Sequence, residues 1–113
     1  VMVSLLLGAG AGAALTKPDK TPNTARARAK AEYITGNRFY EEGRYDDAAA
    51  SYEKAVTIDG QFARAHKALG AAFVKLNKPD RAAGAYKRYL EFDADGVDAK
   101  LVKNVLSQYE GDG

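Results

Sequence analysis

The chain contains no cysteine and no tryptophan, and it has a single histidine among its 113 residues. Without cysteine it cannot form a disulfide, a thiolate metal site or a thiol nucleophile. The histidine, His66, has Arg64 and Lys67 beside it and no second histidine or carboxylate at ligand spacing. Since a metal site usually needs three or four ligands, we predict no metal and no other cofactor.

An excess of charge of one sign is also missing. Lys and Arg total 17 against 15 for Asp and Glu, which gives a formal net charge of +2 at pH 7. This balance is too weak to indicate nucleic-acid binding. A chain of this length forms one small domain or a short array of repeats, with little room for a catalytic cleft. The adjacent Asp46 and Asp47 lie at the start of a predicted helix, where negative charge interacts favourably with the unpaired backbone amides. We therefore assign them to the helix start and predict no enzyme activity.

A long apolar run occurs at the start of the chain, in residues 1–15. Its length suits the apolar region of a secretory signal, although the positive residues that normally precede such a region are missing. It is shorter than the ~20 residues that cross a bilayer as a helix. Three interpretations are open: an export signal of a periplasmic protein, a residual anchor of a membrane-associated protein, or the tail of a cytoplasmic one. We assign residues 1–23 to this leader and a linker.

Basic residues gather just before the repeats described next, at Arg26, Arg28 and Lys30. One interpretation is the solvated, alanine-rich start of a helix. The other is contact with anionic lipid, if the apolar run is an anchor, or with an acidic partner. Nucleic acid is disfavoured because no aromatic side chains alternate with these charges.

The chain repeats itself at an offset of 34 residues. Units 29–62 and 63–96 align without a gap. Equivalent places hold identical residues: Ala29 and Ala63, Ala31 and Ala65, Gly36 and Gly70, Phe39 and Phe73, Asp46 and Asp80, Ala48 and Ala82, Ala49 and Ala83, Tyr52 and Tyr86, Asp59 and Asp93. The register continues into residues 97–110, where Ala99 falls in the place of Ala31 and Ala65. These residues are a third, half-length copy.

Each unit has the spacing of two helices joined by a turn. In the first helix Ala65, Leu69 and Phe73 lie four residues apart on one face, and small and aromatic residues recur three or four apart in the second helix. Breaks are predicted at Gly43 and at residues 77–79, where Pro79 suits a first helical turn. Asp46 is expected to accept hydrogen bonds from the free amides that follow Gly43.

Small residues at the crossing of the two helices have a packing role. A missing side chain lets the two backbones approach, and neighbouring Phe and Tyr side chains fill the space beside the contact. We predict that Ala48 and Ala82 are the close-contact positions.

These residues resemble the tetratricopeptide repeat, whose unit is also 34 residues long. The matching residues in this chain are Gly36, Phe39, Gly43, Tyr45, Ala48, Tyr52 and Ala55, then Leu69, Gly70, Phe73, Ala82 and Tyr86. The resemblance implies an all-α fold, a short α-solenoid of two helical hairpins within residues 24–96, closed by a capping helix over 97–110. It also implies a non-catalytic scaffold that binds a peptide or helix of another protein.

In such arrays the first helix of each hairpin lines the concave side. The residues predicted to point into this groove are Lys30, Tyr33, Asn37, Tyr40 and Glu41 in the first repeat, and Arg64, Lys67, Ala71, Val74 and Lys75 in the second. We take eight of them as partner-binding, leaving out Glu41 and Ala71. Four of the ten are basic and one is acidic, so we expect a partner with acidic groups beside an apolar anchor.

Other interpretations stay open: Tyr33 and Tyr40 are alternatively side chains that only cover the hairpin. The clamp that this family uses for chaperone tails is absent, because Tyr33 and Ala68 stand where that clamp has Lys and Asn. Two and a half repeats also leave both ends of a short solenoid without a neighbour. A homo-oligomer formed by end-to-end stacking is therefore the rival function.

Overall fold

In the computed structural model, which describes residues 22–111, the chain forms five α-helices and no strand. They are α1 (Pro22–Glu41), α2 (Tyr45–Ile58), α3 (Ala63–Lys75), α4 (Pro79–Phe92) and α5 (Ala99–Gly111). The predicted all-α fold is confirmed. No helix within residues 22–111 is long and apolar enough to cross a bilayer. The apolar run, residues 1–15, lies outside the described residues, so its role and the location of the chain remain predictions.

The helices pack in chain order. Helix α1 packs against α2, and α3 against α4, which gives two antiparallel hairpins. The hairpins join where α2 contacts α3, and α5 packs on α4 at the end of the array. Helix α1 also touches α3, so the first helices of the two hairpins lie side by side along one face.

The turns within the two hairpins are equivalent although their sequences differ. Gly43 has a φ of +80° and Asn77 a φ of +61°, both in the left-handed region. Glycine enters that region without steric cost, and asparagine is one of the few other residues that does so readily. After each of them, the next residue donates its backbone N–H to the carbonyl five residues earlier, at 2.9 Å in both turns.

The aspartates at the start of α2 do not cap it. The residue before the helix is Arg44, and its side chain makes no capping hydrogen bond. Asp47 forms an ion pair with Arg44, with 2.8 Å between Nη2 and Oδ2. The prediction that Asp46 accepts hydrogen bonds from free amides is therefore wrong. Both carboxylates lie in the first turn of α2, where their negative charge still interacts favourably with the helix dipole. Pro79 begins α4, as predicted.

A glycine and a tyrosine ring are in close contact inside each hairpin. A Cβ at Gly36 would lie 2.6 Å from Cε1 of Tyr52, and a Cβ at Gly70 would lie 2.6 Å from Cε1 of Tyr86. Ala48 and Ala82 are fully buried, at 0% exposure, as predicted for close-contact positions. Gly36 and Gly70 are thus a second pair of close-contact positions, which were not predicted from the sequence.

An alanine recurs at the same register position of α1, α3 and α5, and its burial differs between these helices. Ala65 on α3 and Ala99 on α5 are buried, whereas Ala31 on α1 is exposed. Helices α3 and α5 each have a preceding hairpin that covers this position, and α1 has none within the described residues. The first helix therefore presents a face that its two counterparts bury.

Candidate protein-binding groove

The eight predicted partner-binding residues lie on two adjacent helices. Lys30, Tyr33, Asn37 and Tyr40 are on α1, and Arg64, Lys67, Val74 and Lys75 are on α3. Lys30, Arg64, Val74 and Lys75 are exposed, and the other four are half-buried. We call this face, formed by the eight residues, the groove.

A cavity of about 530 Å³ lies at one end of the groove, near the start of α3. It is open to solvent and lined by Arg26, Lys30, Tyr33, Asp59, Gln61, Phe62, Ala63, Arg64 and Asp93. Three of the predicted residues, Lys30, Tyr33 and Arg64, are thus brought together. The other five predicted residues do not line this cavity.

An aromatic wall forms one side of the cavity. The ring centroids of Tyr33 and Phe62 lie 5.1 Å apart, and Tyr33 also lies 5.9 Å from the ring of Tyr52. Both Tyr33 and Phe62 are half-buried, so part of each ring faces solvent. Such rings offer flat apolar area at low cost in side-chain entropy.

The charges around the cavity are of two kinds. Arg26, Lys30 and Arg64 are exposed and form no hydrogen bond or ion pair with another residue of the described part of the chain. The two carboxylates are already engaged. Asp59 Oδ1 accepts the backbone N–H of Gln61 at 3.1 Å, and Asp93 Oδ2 accepts the hydroxyl of Tyr89 at 3.2 Å.

Asn37 is held by its own hairpin. The hydroxyl of Tyr52 donates to Asn37 Oδ1 at 2.6 Å. Burial, with smaller contributions from the nearby Tyr33 and Tyr40, raises the pKa of Tyr52 to about 12. The phenol therefore stays protonated, and can donate to Asn37, at pH values between 10 and about 12, where an unshifted tyrosine would lose its proton.

Lys67 is held by the segment that leads into α5. Its Nζ forms an ion pair with Asp98 Oδ2 and lies 5.8 Å from the ring centroid of Tyr89. A partner that used Lys67 would have to compete with Asp98. The structure thus engages two of the predicted groove residues, Asn37 and Lys67, in contacts within the chain.

A second, smaller aromatic group lies at the other end of the groove. The rings of Tyr40 and Tyr45 meet edge to face with centroids 5.1 Å apart. Lys75 reaches the same group, with Nζ 5.9 Å from the Tyr45 ring centroid. Tyr40 and Lys75 are therefore brought together around Tyr45, a residue that the sequence argument did not place in the groove.

Most of the cavity lining was not predicted from the sequence, because Asp59, Gln61, Phe62 and Asp93 follow the second helix of a hairpin. Arg26 had a signal in the sequence: it lies four residues before Lys30, which places both on one face of a helix. The others gave no comparable signal, since a helical period does not extend through a connection.

The single histidine has a structural role. His66 is buried, its Nε2 lies 2.9 Å from the carbonyl oxygen of Gly60, and its ring stacks on Phe92 with centroids 5.8 Å apart. Within residues 22–111 no group of His, Asp or Glu side chains is arranged to hold a metal ion. The groove thus offers the flat rings of Tyr33 and Tyr40 and the exposed cations Lys30 and Arg64.

Comparison with known proteins gives a consistent result. The family model described as "TPR repeat" matches residues 36–77. A curated relative, "Small glutamine-rich tetratricopeptide repeat-containing protein 2" of Saccharomyces cerevisiae, is 37% identical over 63 residues. That match covers 56% of this chain and 18% of the relative, so the chain spans less than a fifth of the yeast protein's length.

A solved structure shares the fold. The second TPR domain of human RPAP3, determined by NMR in complex with the HSP70 peptide SGPTIEEVD, matches with a TM-score of 0.67 at 22% sequence identity. The match covers 81% of this chain and 74% of that one. At this identity the likeness is one of fold.

Proposed function

We propose that this chain, which matches the TPR repeat model over residues 36–77 and shares the fold of a TPR domain, is a non-catalytic interaction module that binds a peptide or helix of a partner protein along the groove. The observation that carries the proposal is the aromatic wall of Tyr33 and Phe62, which faces an open cavity between α1 and α3. A ring exposed in a concave site can bury an apolar side chain of a ligand.

The structural neighbour supports a peptide as the class of ligand, but it does not identify which peptide this chain binds. The RPAP3 domain is in complex with an HSP70 peptide. In this chain Tyr33 and Ala68 occupy the places where the family's chaperone-tail clamp has Lys and Asn, and Asn37 and Lys67 are bound within the chain. The proposed partner is therefore a protein segment that uses the aromatic wall.

Affinity capture tests the proposal. The chain is used to capture proteins from its native cells, beside the variant Tyr33→Ala and the control Tyr109→Ala, which removes an equally half-buried ring from α5. Tyr33→Ala should lose a bound protein that the original chain and the control retain, while its helical circular dichroism is preserved. Equal capture by a folded Tyr33→Ala variant would exclude the groove.

Self-association is the second candidate function, and exposed apolar residues favour it. Val97 is 98% exposed and Leu101 63% exposed, four residues apart at the α5 end, and Ile34 on α1 is 52% exposed. Sedimentation velocity over a range of concentrations separates the two functions. A partner-binding module stays monomeric without its partner, whereas a stacking protein gains mass as concentration rises.

A further inference from the structure

We propose that the cavity near the start of α3 binds an acidic segment of the partner, with a carboxylate placed among Arg26, Lys30 and Arg64 and an adjacent apolar side chain on Tyr33 and Phe62. This inference rests on the proposed function and adds to it the chemistry of the ligand and the part of the groove that recognises it.

Three cations line the cavity. Arg26 and Lys30 lie one helical turn apart on α1, and Arg64 is the second residue of α3, so two elements supply positive charge to one cavity. Within residues 22–111 none of the three makes an ion pair, whereas Lys67, farther along α3, is neutralised by Asp98. Within the described residues, three cations without an ion pair therefore meet at this end of the groove, whereas Lys75 is the one such cation at the Tyr45 end.

The two carboxylates in the cavity make an acidic peptide a better ligand than nucleic acid. Asp59 and Asp93 hold hydrogen bonds in the connections after α2 and α4, so they act as fixed negative charges on the cavity wall. They would repel a run of phosphates, as in nucleic acid, more strongly than one or two carboxylates spaced along a peptide. Arginine also matches a carboxylate in geometry, since its guanidinium donates two parallel hydrogen bonds to the two oxygens.

The aromatic wall indicates that the ligand carries an apolar side chain next to its carboxylate. The paired rings of Tyr33 and Phe62 line the same cavity as the cations. An acidic residue next to a leucine or similar side chain satisfies both surfaces in one short stretch. Charge gives the direction of approach, and burial against the rings gives most of the contact area.

Fluorescence anisotropy tests the inference with two synthetic peptides. One carries Glu-Leu-Glu in a Gly-Ser background, and its partner carries Gln-Leu-Gln. We expect the Glu peptide to bind the full chain about tenfold more tightly, since a charge-assisted hydrogen bond contributes more than a neutral one. Added salt should reduce that difference because the cations are exposed.

A matched pair of triple variants locates the site. Arg26→Gln, Lys30→Gln and Arg64→Gln together should abolish the preference for the Glu peptide. The control combines Lys54→Gln, Lys100→Gln and Lys103→Gln, which removes the same charge from exposed positions elsewhere on α2 and α5. The control should keep the preference, which separates a local site from the effect of net charge.

Three outcomes overturn the inference: no difference between the two peptides, equal loss in both triple variants, or tighter binding of a phosphorylated peptide than of the Glu peptide. Failure of the proposed function is recognised separately. If a protein captured from native cells depends on Tyr33 and is indifferent to the triple cation variant, the interaction module stands and its acidic preference is wrong.

Discussion

The ring of Tyr86 lies against the backbone of Gly70 so closely that a Cβ at residue 70 would stand 2.6 Å from Tyr86 Cε1. Tyr52 meets Gly36 in the same way in the first hairpin. The recurrence of one contact at an offset of 34 residues shows that the repeat in sequence is a repeat in packing.

Replacement of Gly70 by alanine should destabilise the chain. The added Cβ must displace the buried ring of Tyr86, and overpacking of this kind typically costs about 1–3 kcal/mol. Urea unfolding followed by circular dichroism gives the change in the free energy of unfolding. Gly84→Ala is the control: nothing lies within 4 Å of a Cβ at this exposed position of α4, so the variant should gain about 0.5–1 kcal/mol from helix propensity. Equal effects at both glycines would show that the contact is unimportant.

Ala48→Leu should also overpack the first hairpin. Ala48 is fully buried, so three extra carbon atoms have no free space, and we expect a loss of about 1–3 kcal/mol in a thermal or urea melt. Two residues along the same helix, Ala50 is exposed. Ala50→Leu should therefore leave the midpoint nearly unchanged, and a melt unaffected by Ala48→Leu would contradict the packing described above.

The hydrogen bond between Tyr52 and Asn37 predicts a difference between two otherwise similar tyrosines. Tyr52→Phe removes the donor to Asn37 Oδ1 and should cost about 0.5–1.5 kcal/mol of unfolding free energy. Tyr86 packs on its glycine in the same way but forms no such side-chain hydrogen bond within residues 22–111. Tyr86→Phe should thus be closer to neutral. The opposite order of stabilities would exclude a stabilising role for the bond.

Alkaline pH should weaken the fold within a defined window. Burial raises the pKa of Tyr52 and of Tyr86 from 10.0 to about 12. The unfolded chain therefore loses these protons first, and the free energy of unfolding should fall as pH rises from 10 to about 12. Urea unfolding measured across this window tests the sign, and the double variant Tyr52→Phe, Tyr86→Phe should show a shallower fall. A stability that rises through the window would contradict the burial of the two phenols.

The fold could be predicted because its determinants are local and repeated. Gly36, Ala48 and Tyr52 recur at one offset, and helical spacing then places them on facing surfaces. The groove could be predicted only in outline. The helical period places Lys30, Tyr33 and Arg64 on the first helices of the two units, and this is the part of the groove that the sequence predicts.

Other features of the groove depend on contacts between residues far apart in the chain or in a connection, which helical spacing does not predict. Asn37 is bound by Tyr52, 15 residues away, and Lys67 by Asp98, 31 residues away. Phe62 enters the cavity from a connection, where no helical spacing indicates its direction. Long-range pairing and loop geometry arise from the assembled fold, so neither follows from the spacing of residues within one helix.

The junctions that precede α3 and α5 lie one repeat apart in the chain, which indicates where this array can be lengthened. Residue 63 begins α3 against α2, and residue 97 stands at the same point of the next unit, ahead of α5 on α4. Duplicating residues 63–96 in place would set a new copy of α3 on α4, as α3 already lies on α2, and would keep α5 as the last helix. At the register position of Gly36 and Gly70, α5 carries Asn104, which leaves no slot for a tyrosine ring. A longer array built from the described residues should therefore be made by inserting copies of residues 63–96 between α4 and α5.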